Sequence, residues 1–307
     1  MGLTTDVGLR GSQPSPILSV VVCTRNRFNK LKRCVDALLS VTTARDWELV
    51  IVDNGSTDGT SEYLASIDQK QFNRVHVTTT FEPKRGLAAA RNRGWRTANG
   101  GIVAFTDDDC YVSKDYVDSV IQVFEEDLSI GFLAGRILLF DSLDCRITIE
   151  ESQHRSDFRP WTYIAAGAVH GANLAFRRTI LEQIGGFDER LGPGTPFVSD
   201  DIDAAAAALW SGVIGVYHPR PVVYHHHGRR TEREAQELMR SYDAGRGAYY
   251  AKYILRRAST LEYVMGWIRN VGNEWLWALR RGHFPRRWLR ELSSGLRFAL
   301  QRPNYHP

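Results

Sequence analysis

The sequence predicts an α/β fold, a mostly parallel sheet with helices on both faces, and three observations carry that expectation. Short, β-branched apolar runs alternate with helical patterns from Ile17 to Asp109, the order of strand, crossover helix and parallel strand. The runs are apolar almost throughout, as strands buried on both faces are. Three of them end in polar clusters, and sheets of this kind bind ligands at the carboxyl ends of their strands. At 307 residues the chain can bury a full core and hold one large domain with an appendage, or two small ones.

Ile17 to Cys23 reads as the first strand, followed by Thr24, Arg25, Asn26 and Arg27 and by a helix whose Leu31, Cys34, Val35, Leu38 and Leu39 recur at helical spacing. Trp47 to Val52 is the second strand. It runs into Asp53 and a loop whose Gly55 and Gly59 allow a tight turn, then a helix through Tyr63, Leu64 and Ile67. Asp53 can accept from a ribose hydroxyl or a base N–H, although a lone Asp there is equally a helix cap. A third strand is expected near Val75 to Thr79, and Gly86 opens a helix through Leu87, Ala90 and Trp95. Gly101 to Thr106 is the fourth strand and delivers Asp107, Asp108 and Asp109. No GxxxxGK[ST] is present and no GxGxxG follows the first strand, which weighs against a P-loop NTPase or a nicotinamide enzyme.

The acidic triplet is the most informative feature. Adjacent carboxylates raise one another's pKa, so the arrangement makes sense mainly if a cation neutralises them. Along an extended chain Asp107 and Asp109 project to one side and Asp108 to the other, giving two oxygen donors for a hard ion, Mg²⁺ or Mn²⁺. The same residues also suit a solvated turn capping the next helix, with Ser113 and Asp115 as further caps. Later in the chain His225, His226 and His227 follow a strand-like Val222 to Tyr224. A metal or phosphate role for one of them is expected. Without an accompanying Cys or HExxH pattern they do not read as a zinc site. Cys23, Cys34, Cys110 and Cys145 lie far apart with no CxxC pair, which gives no disulfide framework.

The net charge of +4 hides an asymmetry: residues 227 to 307 hold 16 Lys and Arg against 7 Asp and Glu. From Thr231 the pattern turns helical, with Trp267, Trp275 and Trp288 among the apolar positions and Arg286, Arg287, Arg290, Arg297 and Arg302 interleaved near the end. Such helices suit the headgroup region of a membrane; alternatively they form a bundle packed on the preceding domain, or a homodimer contact. No apolar run approaches the roughly 20 residues that span a bilayer, and residues 1 to 16 read as a flexible leader without the apolar core of a signal peptide. A cytoplasmic protein, or one peripheral on the cytoplasmic face of the membrane, is expected.

Six segments, in order, resemble one family. Val20 to Arg27 (VVVCTRNR), Val52 to Thr60 (VDNGSTDGT), Gly86 to Gly94 (GLAAARNRG), Phe105 to Asp109 (FTDDD), Gly171 to Phe187 (GANLAFRRTILEQIGGF) and Ser199 to Asp203 (SDDID) are similar to motifs of the family 2 glycosyltransferases. The resemblance covers about residues 17 to 228 and implies the GT-A fold, a Rossmann-like sheet, with a nucleotide-binding half (17–110), an acceptor-binding half (111–228) and a helical extension (229–307). It implies that Thr24, Arg25, Asn26, Asp53, Gly86, Arg91 and Asp108 line the site of a nucleotide diphosphate sugar, UDP by default, with GDP and dTDP as alternatives. Asp107 and Asp109 match the outer positions of the family's DxD motif, and His225, with His227 as runner-up, matches a histidine that completes the metal site or holds the diphosphate. Asp201 matches the general base of an acidic motif in which Asp200 stands where Glu is commoner, so which of the two takes the proton is open. Both also suit the N-terminal cap of a helix. Gly171, Ala172, Asn173 and Trp161 fall on the acceptor side, for a glycan or lipid-linked sugar; Trp161, Tyr163, Phe187 and Phe197 read individually as core rather than as sugar platforms.

The reaction implied is inverting transfer of the sugar to a hydroxyl, serving a surface polysaccharide or glycoconjugate. A sugar nucleotidyltransferase is the second enzyme reading, but its glycine-rich basic loop after the first strand is missing. A non-catalytic nucleotide-sugar or nucleic-acid binding protein is the third, and the Asp triplet together with Asp201 argues against it. No nucleic-acid partner is expected, since no recognised aromatic and basic motif is present.

Overall fold

The computed structural model describes residues 16–280, 284 and 286–301. The leader expected over residues 1 to 16, Pro16 apart, and Arg302 lie outside the described residues. Strands β1 (Leu18–Thr24), β2 (Trp47–Asp53), β4 (Val75–Phe81) and β5 (Ile102–Asp107) form the parallel part of the sheet, with a two-residue β3 (Gln71–Phe72) at its edge. Their crossovers are α1 (Phe28–Leu39), α2 (Thr60–Ile67) and α3 (Leu87–Thr97). Beyond β5 the sheet is mixed. β6 (Cys110–Val112) turns back, α4 (Tyr116–Glu126) leads to β7 (Ile130–Leu139), and β9 (Leu174–Arg177) inserts antiparallel between β5 and β7. The long β10 (Ile214–His225) then runs parallel to β7 and antiparallel to β6 and to β8 (Ser156–Phe158). The strand order is β3-β4-β2-β1-β5-β9-β7-β10-β6.

The uninterrupted apolar strands are buried on both faces because two helical layers cover them. Val20 and Val22 of β1 and Leu49 and Ile51 of β2 point to a core shared with Leu31, Val35 and Leu38 of α1 and with Val117, Val120 and Phe124 of α4. The alternate residues Val21, Val50 and Val52 point the other way, to α3, α5 (Arg178–Ile184) and α6 (Asp200–Leu209). This period-two split is what burial on both faces requires.

The extension is not a separate appendage. α7 (Glu232–Leu255) starts at a capping box between Thr231 and Glu234 and sends Tyr249, Tyr250 and Tyr253 into the second core, beside Tyr263 of α8 (Thr260–Arg280). Tyr249 Oη donates to the Ile164 carbonyl at 2.9 Å and Tyr253 Oη to that of Asp203 at 3.0 Å. α9 (Arg287–Leu300) crosses α7 where Gly247 meets Gly295; a methyl on Gly247 would overlap the Glu291 carbonyl. Trp267, Trp275 and Trp288 are all partly covered. The four cysteines are free thiols, and no described helix is long and apolar enough to cross a membrane.

Candidate active site

A cleft of about 510 Å³ opens at the carboxyl ends of β1, β2 and β5, within the range of small-molecule sites. Thr24, Arg25, Gly86, Arg91, Asp107, Asp108, Asp109, Gly171, Ala172, Asp200, Asp201 and His225 all line it. The strand ends gather the acids and α7 walls the opposite side with Leu238, Ser241, Tyr242 and Arg246.

The triplet converges by a turn, not by strand alternation: β5 ends at Asp107, and Asp108 and Asp109 lie in the turn to β6. Asp108 faces inward, accepting from Thr24 Oγ1 at 2.8 Å and Arg27 Nη1 at 2.6 Å. Burial, reinforced by the Asp109 charge, pushes its pKa up to about 6 despite Arg27. Asp109 is as buried, and burial opposes its charge too. A hydrogen bond and charge from His225, with Arg27 at 3.1 Å and Lys30 at 3.4 Å, nonetheless hold it well below the usual carboxylate range.

Ligand atoms of Asp107, Asp109, Cys110 and His225 all lie within 4.8 Å of one another. His225 Nε2 is 3.5 Å from Asp109 Oδ1, while its Nδ1 is buried with no partner among the described residues. Two carboxylates and an imidazole with an unsatisfied nitrogen fit a hard divalent ion such as Mn²⁺ or Mg²⁺. Burial keeps the Cys110 thiol protonated, leaving it a neighbour of the cluster and not a donor for such an ion.

His227 does not join the cluster, although alternation does bring its ring beside that of His225. Its Nδ1 accepts from Arg229 N at 3.0 Å, so Nε2 carries the proton and donates to the Cys145 carbonyl at 2.7 Å. Both nitrogens are spent on the loop. His226 packs its ring against Phe140 and Tyr111.

The two acids of the later motif differ sharply. Asp200 is 2% exposed and accepts from Arg91 Nη1 at 2.6 Å; burial, with the Asp201 charge adding to it, pushes its pKa up to about 6 against the pull of Arg91. Arg91 also donates to Asp107 at 3.1 Å, and these carboxylates keep it charged although burial opposes that. Asp201 is partly exposed. Its Oδ2 accepts from Gly171 N at 2.8 Å and its Oδ1 from Ile202 N at 2.7 Å, so backbone donors aim the carboxylate, and no described side chain forms an ion pair with it. Asp201 therefore has the accessible oxygen, and Asp200 serves to hold Arg91.

Other expected residues stand back from the cleft. Both Asp53 oxygens serve the following turn, accepting from Ser56 N and Ser61 Oγ at 2.9 Å each, so the cleft meets the loop that Asp53 stiffens and not its carboxylate. Asn26 ties that loop to the first through Thr57 N at 2.7 Å. Asn173 is structural: its amide donates to the Arg136 and Pro221 carbonyls and accepts from Tyr116 Oη. Trp161 sits on the surface against Trp210, away from the cleft, and Phe187 and Phe197 are core. Gly86 has φ +137°, and only a residue without a Cβ adopts that readily where its N–H donates to Asn54 at 2.9 Å.

Sequence reasoning assigned no role to Arg27, Lys30, His170, Arg229 or Tyr242. Arg27 stood within the first motif, and His170 directly before Gly171, as signals that were there to be read. Arg229 and Tyr242 reach the cleft only because α7 folds back across it.

A family model described as Glycosyl transferase family 2 matches residues 19–185, more than half of the chain. The chain belongs to glycosyl transferase family 2. Among its relatives, glycosyltransferase AglE of Haloferax volcanii is 32% identical over 67% of this chain and 68% of its own length. Validoxylamine A glucosyltransferase of Streptomyces hygroscopicus subsp. jinggangensis is 38% identical over 34% of this family 2 chain. The match spans only 25% of that relative, and only 16% of glycosyltransferase GlyA of Streptococcus pneumoniae. Solved structures share the fold. Mannosyltransferase PcManGT from Pyrobaculum calidifontis, in complex with GDP-Man and Mn²⁺, superposes with a TM-score of 0.62 at 22% identity, covering 94% of this chain and 82% of that one. S. aureus TarS 1-349 in complex with UDP-GlcNAc gives 0.53 at 16%, covering 75% and 66%. The expected GT-A architecture is therefore the one this family 2 chain adopts.

Proposed function

We propose that this protein is a metal-dependent inverting glycosyltransferase, moving a sugar from a nucleotide diphosphate sugar, UDP first, to a hydroxyl of a glycan or lipid-linked acceptor. One observation carries the reading: a single cleft joins a carboxylate–imidazole cluster suited to a divalent ion with a separate, backbone-aimed carboxylate, Asp201. Relatives bearing glycosyltransferase names, and neighbours solved with GDP-Man and Mn²⁺ or with UDP-GlcNAc, support it.

The roles follow from charge. Asp107, Asp109 and His225 would hold Mn²⁺ or Mg²⁺, which supplies neutralisation of the negative charge developing on the departing diphosphate. Arg25, Arg27 and Lys30 add positive charge around the same strand ends. Asp201 takes the proton of the acceptor hydroxyl as the new bond to the anomeric carbon forms. With no enzyme nucleophile, a single displacement inverts that carbon. Arg91, clamped by Asp200, holds Asp107 and packs beneath Gly171, so it fixes the metal side relative to the base. The acceptor enters between Asp201 and α7, past Tyr242 and Arg229. Incubation with UDP-, GDP- and dTDP-sugars plus Mn²⁺, with water or an added lipid-linked or free sugar as the receiving hydroxyl, tests this: release of one nucleoside diphosphate, abolished by EDTA, is expected, and release from none of them overturns it.

A further inference from the structure

Helices α8 and α9 face the wrong way for a soluble bundle. Along α8, Tyr263, Gly266 and Ala278 are buried, whereas Leu261 (70% exposed), Met265 (60%), Ile268 (59%), Leu276 (60%) and Leu279 (70%) face solvent. Their spacing of four, three, eight and three residues keeps them on one face of a helix. The strongest apolar stripe thus points outward. α9 repeats the inversion: Glu291, Ser294, Gly295 and Phe298 are its buried residues, while Leu292, Leu296 and Leu300 are exposed. α7, in the same extension, buries its tyrosines in the normal way.

Charge identifies the occupant. Arg256, Arg257, Arg269, Arg280, Arg286 and Arg297 are exposed in or beside these two helices and carry no carboxylate partner among the described residues. The exposed acid on the same helices is Glu262. The acids Glu274 and Glu291 are turned inward onto Arg287, and Arg290 is taken by Asp243. A second copy of the chain would bring arginine rows against arginine rows, which like-charge repulsion disfavours. An anionic lipid leaflet satisfies both features, apolar side chains in the acyl boundary and guanidinium groups on phosphates.

We propose that the outward faces of α8 and α9 dock on an anionic lipid leaflet, the helices lying in the interface rather than crossing it. α7 links this surface to the cleft, since it lines the cleft with Tyr242 and carries α9 at the Gly247–Gly295 crossing. The proposal does not rest on the transferase reading, and its test needs no turnover. The full chain is sedimented with phosphatidylcholine vesicles with and without about 30% phosphatidylglycerol. Pelleting with the anionic vesicles only, weakened by salt and reduced at least tenfold in I268D/L276D with an unchanged melting temperature, is the expected result. A second pair, L292D/L296D, guards against failure of the first to fold. Wild type that stays in the supernatant overturns the proposal, as does pelleting that neither pair weakens. If wild type does not pellet and light scattering shows a dimer that I268D/L276D splits, the face is an interface between copies instead.

Discussion

Asp200 and Asp201 are adjacent in sequence but opposite in environment, and exchanging each for asparagine should separate folding from chemistry. Asp200→Asn leaves the Arg91 guanidinium, itself 3% exposed, without its 2.6 Å carboxylate partner. Breaking one side of a buried ion pair costs about 3–5 kcal/mol. Arg91 retains Asp107 at 3.1 Å, so the lower end, about 3 kcal/mol, is expected. At about 2–4 °C per kcal/mol for a domain of this size, the melting temperature falls by about 6–12 °C. Asp201→Asn removes the proton acceptor and keeps one of the two backbone contacts, since the amide has a single accepting oxygen where the carboxylate has two. Turnover should fall about 10²–10⁴-fold, roughly 3–5 kcal/mol, with nucleotide affinity unchanged and stability lowered by only about 1 kcal/mol for the one lost hydrogen bond. The pH dependence has a definite sign. Native Asp200 binds its proton near pH 6, whereas an unfolded carboxylate binds it near pH 4. The native state therefore gains stability as pH falls through that window and loses it as pH rises, and Asp200→Asn flattens this slope. Scanning fluorimetry across pH and steady-state kinetics read both quantities. An Asp201→Asn protein that melts as early as Asp200→Asn, or an Asp200→Asn protein that melts like wild type and is merely inactive, refutes the division of labour.

Two further expectations concern the histidines and α7. His225→Ala removes a donor from the cluster and should weaken Mn²⁺ binding at least tenfold, roughly 1.4 kcal/mol or more. His227→Ala should leave Mn²⁺ affinity within about twofold while costing about 1–3 kcal/mol of stability, because Arg229 N and the Cys145 carbonyl lose their partner; Mn²⁺ titration and urea unfolding distinguish the two. Lys252 Nζ lies 2.9 Å from Asp188 and 2.7 Å from Asp203, tying α7 to the sheet domain. Lys252→Met should cost about 3 kcal/mol in urea unfolding at pH 7. Asp188 is held below the usual range by Arg190 and Lys252 although burial opposes this. Its contribution is thus present above about pH 4 and lost as pH falls further. In the variant that contribution is smaller and its loss is complete at a higher pH, and an unchanged acid transition would count against the argument.

The first half of the fold was legible because its strands are long, apolar and followed at once by their own crossover helices, so local pattern and tertiary position coincide. The four-residue β9 was not, since Leu174–Arg177 acquires its place only from pairing with β5 and β7 on either side. The acids were legible as a motif, yet strand alternation misdescribed how they converge, because Asp108 and Asp109 belong to a turn. Asp53 shows the same limit: its position at a strand end was plain, but whether its oxygens face a ligand or the Ser56 and Ser61 donors depends on the loop's shape. Tyr249 and Tyr253 lie in the stretch after Thr231 whose pattern reads only as a basic helical tail. Only the path of α7 across the sheet makes them core, and the same path brings Arg229 and Tyr242 to the cleft.

The central claim is that the Asp107, Asp109 and His225 cluster binds a divalent ion together with a nucleoside diphosphate. Calorimetric titration of UDP, GDP and dTDP in Mn²⁺, Mg²⁺ or EDTA, on wild type and Asp109→Ala, tests it most directly. Binding of one nucleotide that requires the metal and disappears in Asp109→Ala is the predicted result. Nucleotide binding of equal strength in EDTA and in the variant, or none with any metal, contradicts the account.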